Sequence, residues 1–240
     1  MRGTDVRVFI NELDVSGDTA EVSMESTVEE YESATLTSTI ADYSPGINSG
    51  QININGYVNG VEDGFEDSLR QALATSGNIV MMVLDFQNLP APTFVCENAH
   101  ENGLTWTMPV DGLITIEGAF KAKRGVKRGK MLQYKTVRSA TGGGTAGQLV
   151  GALTTMSGKG YVVLHSVAGT QSTPITAKIQ SSANGTSGWA DEASFSFSDV
   201  GAQAVEIATP AGEYFRLDVT SLGGATSATL SWVVSLDGLT

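Results

Sequence analysis

Catalysis in this 240-residue chain would have to be built from two histidines, one cysteine and a scatter of carboxylates. His165 lies between Val163 and Val167 in an alternating stretch and reads as a packed, hydrogen-bonded residue rather than a catalytic base. Cys96 and His100, four residues apart and followed by Glu101 in what reads as a loop, offer half of a zinc site. No second pair at ligand spacing completes it, so no metal is expected. Gly-x-Ser-x-Gly is missing, and with it the hydrolase nucleophile elbow. Ser157-Gly158-Lys159-Gly160 imitates a phosphate loop, but the leading glycine is misplaced and Gly160 stands where a magnesium-holding hydroxyl is needed. Acids such as Asp111 and Glu117 are plentiful by chance at a net charge of −12 and do not alone argue for a glycosidase. The expectation is a chain with no catalytic residues and no cofactor. Trp189, Tyr214 and Trp232 raise a glycan-stacking reading; Trp232 falls on the apolar side of its alternation and reads as core, whereas Trp189 sits in a turn-rich stretch.

Charge is distributed unevenly. Residues 1–120 hold 19 of the 26 acids against three bases, Arg2, Arg7 and Arg70. Residues 121–138 then hold eight of the 14 bases and no acid: Lys121, Lys123, Arg124, Lys127, Arg128, Lys130, Lys135 and Arg138. An acidic chain repels nucleic acid. Three readings of the basic stripe stay open: complementing an acidic face on another copy of the chain, a solvated linker, or binding of nucleic acid or another partner. Hydrophobic residues at 41% and 28 glycines describe a turn-rich globular chain, and no apolar run approaches the roughly 20 residues of a membrane-spanning helix. The first 17 residues contain no apolar core of a secretory signal, so none is expected, and the lone Cys96 excludes a disulfide framework.

These residues are carried by elements that read mostly as strands. Residues 51–59 alternate strictly, with Ile52, Ile54, Gly56 and Val58 on one face and Gln51, Asn53, Asn55, Tyr57 and Asn59 on the other. Residues 19–32 place Glu21, Ser23 and Glu25 opposite Val22 and Met24, leading into an acidic loop at Glu29, Glu30 and Glu32. Residues 34–40 read as a Thr-rich strand that turns back through Ser44-Pro45-Gly46. Asp63 and Glu66 at capping-box spacing, apolar Phe65, Leu69, Ala72 and Leu73, and Gly77 predict one helix. Residues 78–86 form a continuous apolar run expected to be buried on both faces, and Asn102-Gly103 reads as a hairpin turn. The Gly-rich stretch 139–147 suggests a domain boundary, followed by regular short strands typical of a sandwich. The predicted fold is mainly β: an N-terminal two-sheet sandwich or flattened barrel with one flanking helix over 1–139, then an immunoglobulin-like β-sandwich over 140–240.

Tyr43-Ser44-Pro45-Gly46, the strand Gly50-Gln51-Ile52-Asn53-Ile54-Asn55-Gly56-Tyr57 and the acid-capped helix after it resemble the tail tube (major tail) proteins of long-tailed, siphovirus-like bacteriophages. The likeness extends upstream through 16–22 and downstream through Arg128-Gly129-Lys130. It implies a non-enzymatic virion protein, assembled in the bacterial host cytoplasm, whose homohexameric rings stack into a tube. DNA would pass through the lumen without specific binding, and a tape measure protein and a tail terminator would be partners; no membrane is involved. On this resemblance Glu21, Glu25, Glu29, Glu30 and Glu32 would line the acidic lumen. The inter-ring hairpin would be 35–57, with Tyr43, Pro45, Gly46, Gln51, Asn53 and Asn55. Lys121, Lys123, Arg124, Lys127, Arg128 and Lys130 would form the inter-subunit stripe, and 140–240 would decorate the exterior. The competing reading is a glycan-binding adhesion module or a capsid or tail decoration sandwich.

Overall fold

The computed structural model describes residues 5–33, 42–58, 64–122, 125–143, 147–150 and 157–236, with side chains described outside 28–48. The elements are β1 (Val6–Ile10), β2 (Leu13–Asp14), β3 (Thr19–Ser33), β4 (Asp42–Tyr57), α1 (Phe65–Ala74), β5 (Asn78–Leu84), β6 (Ala91–Thr107) and β7 (Thr115–Ala122). They continue with β8 (Val126–Arg138), β9 (Gln148–Leu149), β10 (Gly158–Ala168), β11 (Ile175–Ser182), β12 (Ala190–Phe197), β13 (Gly201–Ile207), β14 (Tyr214–Ser221) and β15 (Ser227–Leu236). The chain is mainly β, as its alternation predicts, with antiparallel pairing and one helix among the described residues.

By packing, the chain divides into two compact units. One comprises residues 17–80 and 96–127, the other 1–16, 81–95 and 128–240. The sequence placed its single boundary in the glycine run at 139/140, whereas the contacts make the units interleave. Glycine composition signals flexibility, but strand pairing decides membership: β8 pairs with β15, joining Arg138 to Ala228 and Lys130 to Val234.

In the first unit, β3, β4, β7 and the second half of β6 form an antiparallel sheet in that order. Its inner face carries Ile52, Ile54, Ile116 and Phe120, all fully buried, and α1 supplies Phe65, Leu69 and Ala72 on the same apolar stripe. Each large side chain so buried contributes about 1.5–3 kcal/mol. Gly56 is needed where strand and helix approach: a Cβ there would lie 2.5 Å from both the Asp18 carbonyl oxygen and the Phe65 ring. The helix starts differently from expectation. Its N-cap is Gly64 with no side-chain cap, Asp63 lies outside the described residues, Leu73 is exposed, and the helix closes on Thr75 rather than Gly77. Thr75 and Asn78 cover the last turn instead, with Asn78 Nδ2 donating to the Ala72 carbonyl at 3.0 Å.

Two turns expected from sequence are strand. Ser44-Pro45-Gly46 lies within β4, where Pro45 pairs with Glu30 across a register shift, and Glu29, Glu30 and Glu32 lie within β3 rather than in a loop. Pro is tolerated there because a bulge on a two-stranded segment leaves its missing N–H without consequence. Asn102-Gly103 is a bulge inside β6, marked by a register shift between Glu101 and Leu104 and by Gly103 at φ 149°. The strand expected over 34–40 falls outside the described residues, apart from neighbouring 33 and 42.

In the second unit, one sheet runs β13-β10-β15-β8-β6-β5-β1-β2 and the other β12-β11-β14-β9. Leu132, Val162, Leu164, Leu230 and Trp232 from the first share one core with Ile179, Phe195, Phe215 and Leu217 from the second. Ser157-Gly158-Lys159-Gly160 opens β10 as ordinary strand. Lys159 pairs with Glu206 at 3.0 Å, and a Cβ on Gly158 would lie 2.1 Å from the Ser235 carbonyl oxygen. The glycines permit close sheet packing there.

Candidate functional site

The outer face of the β3-β4-β7-β6 sheet collects most of the polar residues singled out in sequence. Register places Glu21, Asn55, Glu117 and Thr105 in one row across four strands, and Glu25, Gln51, Lys121 and His100 in another. Between them Ser23 lies opposite Asn53, whose Nδ2 donates to the Ser23 hydroxyl at 3.4 Å, and Gln51 donates to Asn53 along β4. Glu21, Glu25, Glu117, Lys121 and His100 are all exposed. The second row lines a hollow of about 340 Å³ together with Thr27 and Ser49. One sheet thus has an apolar face sealed by α1 and an opposite face made of amides, hydroxyls and three carboxylates, tempered by one lysine and one histidine.

β4 extends beyond this support. β7 reaches only from Tyr57 to Gly50, so among the described residues 42–49 pair with β3 alone. The resulting two-stranded arm contains Tyr43, Pro45 and Gly46 as well as Glu30 and Glu32. Their side chains, and that of Glu29, lie outside the described residues. At the opposite end of the sheet, the connection between β6 and β7 exposes Trp106 (41%), Met108 (67%), Val110 (100%) and Leu113 (69%). Nothing in the sequence pattern marks this tip as uncovered.

The basic stripe separates into members with different local roles. Lys121 belongs to the polar face of β7, and Lys123 and Arg124 lie outside the described residues. Lys130 Nζ donates to the Val150 carbonyl at 2.8 Å, and Lys135 pairs with Asp14 at 2.9 Å. Arg128 remains exposed on β8 and Lys127 is half-buried. Of the three readings, the solvated linker does not describe 126–138, which form β8 between β15 and β6.

Two buried polar groups deserve a chemical account. Asp14 is drawn two ways: burial raises its pKa, but hydrogen bonds from Ser16, Lys135 and Tyr134 outweigh that and hold the carboxyl below its usual range. Beside it, His165 Nδ1 lies 2.7 Å from the Glu12 carbonyl and Nε2 lies 2.8 Å from Ser231 Oγ. A carbonyl only accepts, so Nδ1 carries the proton and Nε2 accepts from the serine. The Ser231–His165 pair has the spacing of an activated nucleophile, yet Ser231 is fully buried and its hydroxyl already accepts the Lys135 N–H at 2.8 Å. It ties strands together. Burial lowers the His165 pKa, keeping the ring neutral.

His100 and Glu101, read from sequence as loop residues, lie within β6, and the burial of Glu101 was not foreseen. Glu101 is 7% exposed, neither carboxyl oxygen has a hydrogen-bond partner, and burial pushes its pKa up to about 8. Gly118 makes the slot: a Cβ there would lie 2.5 Å from Glu101 Oε1 and 2.9 Å from Leu69. Cys96, by contrast, is sealed in the core with its thiol pushed up to about 12 by burial and directed at the Phe120 carbonyl, while His100 is exposed. The pair does not converge on a metal. Among the aromatics, Trp232 is core, and Trp189 stacks against the Arg216 guanidinium at 4.2 Å.

No protein-family model matches the chain, and no curated protein does. Among solved structures it is similar to a chain from the virion of a native gene transfer agent particle, at TM-score 0.43 and 10% identity, over 53% of this chain and 98% of that one. It is also similar to a chain of the sheath–tube complex of an extracellular contractile injection system in the extended state, at TM-score 0.42 and 14% identity, over 53% and 90%. The SPP1 Dit protein, described as a hub adsorption apparatus paradigm in phages infecting Gram-positive hosts, aligns over 96% and 98% at TM-score 0.35 and 10% identity.

Proposed function

We propose that this chain is a non-enzymatic structural subunit of a bacteriophage tail, and that it works by polymerising. The observation that carries the reading is the unfinished sheet: among the described residues, β3 is a 15-residue strand hydrogen-bonded on one side only, and its outer half forms with residues 42–49 an arm that no third described strand supports. An isolated two-stranded hairpin is marginal in water, and a long open edge invites pairing. In the assembled state both would be satisfied by other copies, the edge within a ring and the arm between rings. The apolar tip 106–114 supports self-association as well, since exposed apolar clusters mark contact surfaces. Six-membered rings follow from the sequence resemblance.

In this assembly the polar face of the sheet lines the lumen. Glu21, Glu25 and Glu117 repel phosphate, and the amides between them offer hydrogen bonds without fixed positive charge, so DNA slides rather than sticks. The unit that carries β10–β15, joined by β8, forms an exterior, immunoglobulin-like decoration, and a tape measure protein and a terminator set tube length. Sizing of purified protein followed by electron microscopy of the largest species tests the reading: rings or tubes are expected. A protein that stays monomeric at high concentration refutes it.

A further inference from the structure

The second unit contains a cavity of about 180 Å³ whose walls combine two arginines with apolar surface. Arg138 and Arg216 reach it from β8 and β14, Gln133 and Gln148 add amides, and Trp232 and Leu217 form part of the apolar wall. Among the described residues, no carboxylate lines it. Two polar atoms of its lining, Arg138 Nε and Gln148 Oε1, are cut off from solvent without a hydrogen-bond partner. Buried polar groups are nearly always paired, so two orphans among the residues that wall one cavity leave that wall short of partners, which a ligand would reach through a small side-chain rotation.

The guanidiniums are held in place rather than merely present. Arg138 donates to Gln133 Oε1 at 3.2 Å, and the same oxygen accepts from Trp232 Nε1 at 3.1 Å. Arg216 Nε donates to Gln180 Oε1 at 2.8 Å while its guanidinium stacks over Trp189. Gly143 makes room for that guanidinium: a Cβ there would lie 2.6 Å from Arg216 Cζ. Burial lowers the Arg138 pKa, the direction expected where no anion offsets the charge.

We infer that this cavity binds a small organic carboxylate with a CH-rich body. The arginines would take the carboxylate, the amide of Gln148 would turn its NH₂ or its oxygen to a neighbouring polar group of the ligand, and the body would lie on the apolar wall. By volume the space holds roughly six waters, which suits a ligand the size of a sugar acid or an aromatic acid. An inorganic ion would leave the apolar wall uncovered. The inference does not depend on the assembly proposed above.

Titration calorimetry on the full chain tests it with sodium glucuronate and sodium benzoate, against glucose and benzyl alcohol as neutral counterparts at matched salt. Saturable binding of either acid, with no response to its neutral counterpart, is expected, and the arm that responds identifies the ligand source. Arg138→Gln should weaken binding by about tenfold or more. Gln148→Glu places a carboxylate inside the cavity, so it should abolish binding without lowering the melting temperature, which separates loss of the site from loss of the fold. No saturable heat from either acid up to concentrations on the order of 10 mM, an equal response to the neutral compounds, or full binding by both variants would overturn the inference.

Discussion

Glu101 and His165 show how single side chains carry pH sensitivity into a protein with no evident catalytic use for it. Glu101 has a folded pKa of about 8 against an ordinary 4.5, so the folded state holds the proton more tightly than the unfolded one. Stability is full below about pH 4.5 and falls as pH rises toward 8. Glu101→Gln should flatten that slope and melt higher than wild type at pH 8, measured by thermal unfolding across pH; a parallel slope in the variant would reject the assignment. His165 works in the opposite direction. Its pKa is depressed by burial, so stability is full above about 6.5 and declines as pH falls below that value, because the unfolded imidazole gains its proton first. Ser231→Ala leaves both His165 Nε2 and the Lys135 N–H short of a partner and should cost about 1–3 kcal/mol, read by denaturant titration. The structural role of His165 was legible, because it stands among alternating valines. Glu101 was not, since Asn98 at φ 48° and the bulge at Gly103 break the strand period that would have shown it facing inward.

At the level of elements, alternation was the dependable guide and turn residues were the misleading ones. Ile52, Ile54 and Gly56 occupy the inner face of β4 and Gln51, Asn53 and Asn55 the outer, because a period of two fixes which face each residue takes. Pro45-Gly46 and Asn102-Gly103 have turn chemistry, yet cross-strand pairing to β3 and to β7 holds them extended or bulged, and composition carries no information about those partners. Gly56→Ala tests the close approach of β4 to α1: it should destabilise by about 1–3 kcal/mol through overpacking against Phe65 and Asp18. An unchanged denaturation midpoint would place that packing elsewhere. The basic segment illustrates the same limit. Its eight cations read as one stripe, but Lys130 and Lys135 are engaged inside the fold. The inter-subunit role of the stripe is therefore tested at the exposed Arg128: Arg128→Glu should impair polymerisation in light scattering while leaving the melting temperature within a few degrees of wild type. Normal polymerisation would remove any role for this charge between subunits.

For the whole molecule, the arrangement is a sheet finished on one face and open on the other three counts: its polar surface, its β3 edge and its arm. Alternation disclosed the mainly β class, and the charge count disclosed the acidic bias toward the first 120 residues. Interleaving of the two units was hidden, because it depends on which distant strands pair. The central claim is that copies of this chain supply one another's missing strands around a bore lined by the outer face of β3, β4 and β7. A helical reconstruction of the assembled protein by electron cryomicroscopy tests it most directly. The account predicts closed rings with Glu21, Glu25, Asn53, Asn55 and Glu117 facing the axis and the 42–49 arm reaching into the adjacent ring; subunits that never close, or that turn this face outward, would contradict it.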